Sequence, residues 1–342
     1  MKGTLAVFDT IKGISAAAFL RDGQLDDLLI DPPDDRIRPG AIFRAKAGRP
    51  MKGQGGMMLD TPQGRVFLRR AKGISQGQSL LVQATTYAEP DKATPVTERI
   101  VLKGRFALAT PGAPGKNISR EIKDEERRIE LRELIEGIAD QDVGLVIRSA
   151  ASDADDDAVR SDAEAVLELA RKVMSEAADG APDLLLDGPD AAEIARREWP
   201  TPDMSDDAGG GFERHGVPEM IATQAHPRAD LPGLGGVFVE PTRALVSVDI
   251  NTGGDTSPAA GLKANLAAMR ALPRLLRLRG LGGQIVLDLA PCPKKDRRQI
   301  EQMFRTAFHR DPIETTLAGW TPLGHLELNR KRERLPLSEA LP

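Results

Sequence analysis

The sequence predicts an α/β protein of more than one domain, and three stretches predict it. From Ala244 to Leu289 the chain reads apolar strand, glycine-rich loop, Leu- and Arg-rich helix, apolar strand, the pattern of a parallel βαβ unit. From Arg36 to about residue 88, short strand-like runs (AIFRA, GGMMLD, RVFLRR, SLLVQAT) alternate with Gly/Pro turns, as in a small all-β barrel. Residues 3–30 read as a strand meander. A chain of 342 residues has room for two or three such domains.

Taken in order, Thr4–Phe8, Ile14–Leu20 and Leu25–Ile30 are the meander's strands, with a turn at Asp22-Gly23. DPPDD then breaks the pattern and marks a boundary. In the next stretch Arg36, Arg38, Arg44, Lys46, Arg49, Lys52, Arg65, Arg69, Arg70 and Lys72 face a single acid, Asp60. A small barrel this basic suggests an OB-type module that tracks a phosphate backbone. LATPGAPGKNIS is a turn-rich connector. Glu125–Glu136 is an amphipathic helix with Ile129, Leu131, Leu134 and Ile135 on its apolar side, and VGLVIRSA is a buried strand ending in Arg148-Ser149. An Arg at a strand end followed by a hydroxyl can grip a phosphate, although such an Arg is usually only solvated. The acidic run SDADDDAVRSDAE opens a helix that continues to about Ala178. LLLD and AAEIARREW give one more strand and helix, Thr201–Gly211 a loop or linker.

The central unit carries the chemistry. GVFVEPTRALVSVDI restarts a sheet, and alternation places Leu245, Ser247, Asp249 and Asn251 on one face of the first strand of the unit. Gln284, Val286 and Asp288 share a face of the second. Leu262, Leu266, Met269, Leu272 and Leu276 repeat at helical spacing between them, with Pro273 expected to kink the helix and Gly280 to end it. Asp249 and Asp288 therefore fall near the carboxyl ends of two parallel strands, where open α/β sheets place ligands. Two carboxylates together repel each other unless a cation or proton lies between them. With the amide of Asn251 they suit a hard ion such as magnesium or manganese. The alternative is that each Asp caps a neighbouring loop or helix. PCPKKDRRQIEQMFRTAFHR is a basic amphipathic helix with Ile300, Met303, Phe304, Ala307 and Phe308 on its apolar side. Leu326 and Leu328 mark a last strand, followed by Arg330, Lys331, Arg332 and Arg334, four cations suited to a nucleic-acid backbone or simply solvated.

Composition excludes several classes. Cys292 is the only cysteine, so the sequence offers neither an internal disulfide nor an intrachain multi-cysteine zinc site. No apolar run reaches the about 20 residues of a membrane span, and MKGTLAVFDTIKG lacks the apolar centre of a signal peptide. A cytoplasmic protein without a membrane partner is expected. The net charge of −4 says little, since the cations are clustered. His215, His226, His309 and His325 show no spacing of a general base or metal site, and there is no P-loop, nucleophile elbow or dinucleotide fingerprint.

VSVDIN, then LRLRGLGGQIVLDL, then PLGHLELNRKR resemble the catalytic region of the ribonuclease E/G family in order, residue type and approximate spacing. The resemblance implies a magnesium-dependent endoribonuclease acting on single-stranded RNA, in RNA processing or decay and in rRNA maturation, with manganese as a possible substitute. Its metal-binding aspartates would be Asp249 and Asp288, and its supporting asparagine Asn251. It implies an RNase H-like fold from residues 1–35 and 183–240, an inserted OB-fold over 36–108, a 5′-sensor-like region over 109–182 and a DNase I-like α/β catalytic domain over 241–342. Arg148 and Ser149 would read a 5′-monophosphate, although the acidic run after them opposes one. Phe67 would stack on a base, with Met58 where a second aromatic is expected, while Arg69, Arg70, Arg330, Lys331 and Arg332 would hold RNA. The sequence lacks the family's two-cysteine zinc link and small C-terminal domain, so no zinc is expected and assembly into dimers or tetramers stays open. The loop after Asn251 is also shorter. Two rival readings remain: a non-catalytic RNA-binding protein on the same scaffold, and a metal-dependent phosphatase or deoxyribonuclease.

Overall fold

The computed structural model describes residues 2–51, 55–89, 91–138, 142–176 and 180–341. These fall into two units, residues 1–33 with 202–342, and residues 34–201. Lys52, one of the clustered cations, and residues 177–179, at the expected end of the acidic helix, lie outside the described residues.

In the first unit, Thr4–Ile11, Ile14–Arg21 and Gln24–Ile30 form an antiparallel meander. Its second turn is Asp22-Gly23, both at positive φ (50° and 75°), the backbone that a tight two-residue hairpin needs. The expected loop at 201–211 holds a short strand, Met204–Asp206, which pairs in parallel with Leu5–Val7. Three residues, Met-Ser-Asp, are too few to carry a readable period, so only the neighbouring strand reveals this one.

The same unit contains a six-stranded sheet in the order Arg228–Leu231, Gly235–Pro241, Val246–Asn251, Gly283–Asp288, Leu326–Arg330, Thr315–Trp320. The central pair, Val246–Asn251 and Gly283–Asp288, is parallel and the other neighbours are antiparallel. Thr315–Trp320 is a strand that the sequence reading did not reveal. Ala260–Leu278 is the crossover helix, continuous with Pro273 inside it, and Gly280 follows it at φ +65°. With Arg297–Phe308 it covers one face. Val246, Val248, Ile250, Ile285, Leu287, Leu326 and Leu328 point into that core, against Met269, Leu272, Leu276, Ile300, Phe304 and Phe308. Their alternate neighbours are left on the opposite face.

In the second unit, Ile42–Met51, Gly56–Thr61, Gly64–Leu68, Thr94–Thr97 and Ser79–Ala84 close into a five-stranded barrel, because the first also pairs with the last. Phe43, Met57, Leu59, Val66 and Val82 fill it. Asp183–Leu186 adds to the barrel's first strand, and the helix Ala191–Glu198 also belongs to this unit. A second sheet in this unit, Lys116–Ile118, Val143–Ile147, Ala107–Pro111 and Leu102–Lys103, packs on Glu125–Glu136 and Asp156–Ser175. Asp124 and Asp155 cap those two helices, each accepting from two backbone N–H groups. Ile129, placed on the apolar side, is instead 52% exposed. It sits two residues from Leu131, and at 100° per residue that puts it beyond the buried stripe.

Candidate functional site

Asp249 and Asp288 are register partners across the two parallel strands, so both carboxylates rise from the uncovered face of the sheet at the same level. Alternation explains this: Val248 and Ile250 are buried on either side of Asp249, and Leu287 precedes Asp288. Among the described residues no lysine or arginine pairs with either acid. Asn251, two residues along the same face, donates from Nδ2 to Asp249 Oδ2 (2.7 Å), which orients that carboxylate. The sequence reading had offered its amide oxygen to a cation; here the amide nitrogen faces the carboxylate.

The last strand contributes a residue that sequence reasoning missed. Leu287 pairs with Leu326, so the next position outward sets His325 opposite Asp288, with Nδ1 3.4 Å from Oδ1. Its only sequence signal was alternation, which puts His325, Glu327 and Asn329 on the face opposite Leu326 and Leu328. Which strand it would border was not legible. Across three strands and the turn into a fourth, the level therefore reads Phe238, Asp249, Asp288, His325.

Two adjacent carboxylates, one oriented by an amide, fit a cation that takes one or two carboxylates and keeps most of its water, as magnesium does. Among the described residues no group of three or more His, Cys, Asp and Glu is arranged to cage a metal.

The other candidate residues separate. Arg330 lies inside the last strand, not after it, and is 1% exposed. Its guanidinium, expected from the sequence to hold RNA, is held here by Asp311 (2.8 Å) and Thr315 Oγ1 (2.8 Å). Lys331 is exposed and bound to Glu314 (2.6 Å), whose hydrogen bond holds the ammonium pKa above its usual value. Arg332 is partly exposed, and Arg334 turns inward to Asp27.

In the other unit, Phe67 is paired with Met58 on one adjacent strand and with Pro95 on the other, all on the outer face of the barrel. Its ring covers Gly56, a close approach that any side chain at 56 would block. Arg69 and Arg70 follow it, exposed. Arg38 and Arg44 of the basic stretch are instead bound to Asp187 (2.7 Å) and Asp183 (3.2 Å).

Arg148 is committed internally. It donates to the Gly104 carbonyl (2.6 Å) and pairs with Glu198, while Ser149 beside it is exposed. Burial pushes the Glu198 carboxyl up, but Arg148, Arg197 and Lys103 outweigh it and hold the pKa below the usual range. The consecutive N–H groups of Arg105, Phe106 and Ala107, the kind of nest that takes an anion, all donate to Asp162.

Fold and site define a class: a closed five-stranded barrel in one unit, and in the other an open α/β sheet bearing a laterally paired set of carboxylates. A family model described as "Ribonuclease E/G family" matches residues 101–207 and 203–333. The chain is 30% identical over 326 residues to Ribonuclease E of Synechocystis sp. (strain ATCC 27184 / PCC 6803 / Kazusa), covering 81% of this chain and 48% of that protein. It is 27% identical over 309 residues to Ribonuclease G of Salmonella typhimurium (strain SL1344), and 28% over 305 to that of Haemophilus influenzae (strain ATCC 51907 / DSM 11121 / KW20 / Rd). Each of these two matches covers 78% of this chain and 62% of the relative, so the chain spans less than two thirds of the relatives' length. The chain belongs to the ribonuclease E/G family.

Proposed function

We propose that this chain is a magnesium-dependent endoribonuclease that cleaves single-stranded RNA, in RNA processing or decay and in rRNA maturation. The single observation that carries the reading is the register of Asp249 with Asp288 on a polar, uncovered sheet face with no lysine or arginine partner among the described residues. Two such acids are stabilised by a divalent cation between them. The domain reading that accompanies it is an RNase H-like fold with an inserted OB-type barrel, and a DNase I-like catalytic domain from about residue 241.

Asp249 and Asp288 would hold magnesium, with manganese as a substitute. The ion, when bound, supplies Lewis-acid polarisation of a phosphoryl oxygen and a water that ionises more easily. The protein's part is to fix the two carboxylates at one level and to keep Asp249 turned by the Asn251 amide. The scissile phosphodiester would be steadied by Lys331 and Arg332, and the strand captured at the barrel by Phe67, Arg69 and Arg70. Arg148 and Ser149 remain the proposed 5′-phosphate contacts, in competition with Glu198. The relatives are named ribonucleases, which supports an RNA substrate over a small phosphate ester.

The test is a 5′-monophosphorylated, A/U-rich single-stranded RNA incubated with wild type and Asp249→Asn, with and without magnesium. Cleavage that requires both the metal and Asp249 is expected. RNA binding with no cleavage under any condition overturns the enzyme in favour of a binding protein, and cutting of duplex DNA overturns the substrate.

A further inference from the structure

Asp249 has a brace on its own strand, and Asp288 has none there. What stands beside Asp288 is His325, on the turn that leads into the last strand. The turn is closed in both directions: the His325 N–H donates to Thr321 Oγ1 (3.1 Å), and the Thr321 N–H donates to the His325 carbonyl (2.9 Å). Gly324, at φ +98°, lets the chain make it. The imidazole is thus presented by fixed backbone. Its Nδ1 is shielded from water and has no hydrogen-bond partner among the described residues, while Asp288 Oδ1 lies 3.4 Å away.

A shielded polar nitrogen without a partner calls for an explanation. A turn of the ring that points Nδ1–H at Oδ1, with the gap shortened by a few tenths of an ångström, gives an ordinary hydrogen bond. We infer that His325 is a positioning residue for Asp288: its Nδ1–H donates to Oδ1 and leaves the other carboxylate oxygen to face the cation shared with Asp249. The inference rests on the metal reading above. Carboxylates that bind metals are themselves hydrogen-bonded, and loss of the outer partner typically weakens the metal by about 10–100-fold. Asn251 and His325 would then flank the pair, one brace for each acid.

Manganese is the probe. Mn2+ is titrated into the full chain and free ion read by electron paramagnetic resonance, for wild type, His325→Leu, His325→Asn and Asp249→Asn, each with its melting temperature. His325→Leu should bind Mn2+ about 10–100-fold more weakly at an unchanged Tm, and His325→Asn, whose Nδ2 can take the place of Nδ1, should stay within about threefold of wild type. Wild-type affinity in His325→Leu, equal losses in Leu and Asn, or a loss explained by melting each overturns the positioning role. Asp249→Asn must also lose Mn2+. If it binds as wild type does, the metal reading falls and takes this inference with it; if it alone loses the ion, only the role of His325 falls.

Discussion

Arg330 and Asp311 form an ion pair, 2.8 Å between Nη2 and Oδ1, in which neither side chain reaches solvent. Asp311 also binds Arg277, and Arg277 and Arg334 share Asp27, so the pair is part of a buried charge network. Burial pushes the Arg330 pKa down, with Asp311 opposing it. Removing Arg330 leaves buried Asp311 with Arg277 as its remaining cation, one that Asp27 also shares, and breaking a buried pair in this way typically costs about 3–5 kcal/mol.

Arg330→Ala should therefore lower the urea midpoint of this chain by an amount corresponding to about 3–5 kcal/mol. Arg332→Ala, two residues on at a partly exposed position, should lower the midpoint by less than Arg330→Ala does and reduce the salt dependence of RNA binding by about one phosphate contact. Equilibrium unfolding and binding at several salt concentrations separate the two. An Arg330→Ala protein that melts normally but binds RNA poorly would reverse the roles assigned here.

Glu198 occupies Arg148, and Asp162 occupies the amides beside it. A 5′-phosphate must displace the Glu198 carboxylate before Arg148 can hold it. Wild type should therefore discriminate little between 5′-monophosphate and 5′-hydroxyl RNA, and Glu198→Gln should raise the preference for the monophosphate by about tenfold or more, the scale of one charge-assisted pair. Competition binding with the two RNAs measures it. A strong monophosphate preference in wild type, unaltered by the variant, would refute the blocked state.

Phe67→Ala should weaken capture of single-stranded RNA by about 1–3 kcal/mol, the usual contribution of one stacked base. The ring also covers Gly56, so Phe67→Leu serves as a control that preserves much of the packing. Fluorescence anisotropy with a short oligonucleotide reads both. Equal affinity for wild type and Ala would mean that the outer face of the barrel does not stack bases.

Asp206 provides a pH dependence. Hydrogen bonds from Arg214, the Ala208 N–H and His215 lower its pKa from 3.8 to about 2. A depressed carboxylate pKa stabilises the folded chain above the unfolded value of 3.8, and the contribution fades as the pH falls toward about 2. Asp206→Asn should lower stability at neutral pH and flatten this part of the acid limb. Urea midpoints between pH 5 and pH 2.5 test the sign.

Much of the metal-site candidate was legible because local backbone geometry writes itself into sequence. Strand alternation fixed which faces carry Asp249, Asn251 and Asp288, and the helical spacing between the strands required a crossover that makes them parallel. Burying Val248 and Leu287 on one side forces their neighbours to the other, while the pairing of Asp249 with Asp288 itself was read only from the sheet. His325 escaped because a histidine's meaning depends on what faces it, and its neighbour lies 37 residues away in the chain.

What the amino-acid order determined by itself was period, polarity and the chemistry available on each face: a parallel βαβ unit, a basic all-β segment, and two acids at strand ends. Tertiary structure alone decided which charges are spent. Arg330, Lys331 and Arg332 are consecutive cations with the same formal charge. Yet one is sealed against Asp311, one leans on Glu314 and one lies partly exposed, because burial and long-range pairing set the free energy of a charge and neither is encoded within a few residues of it.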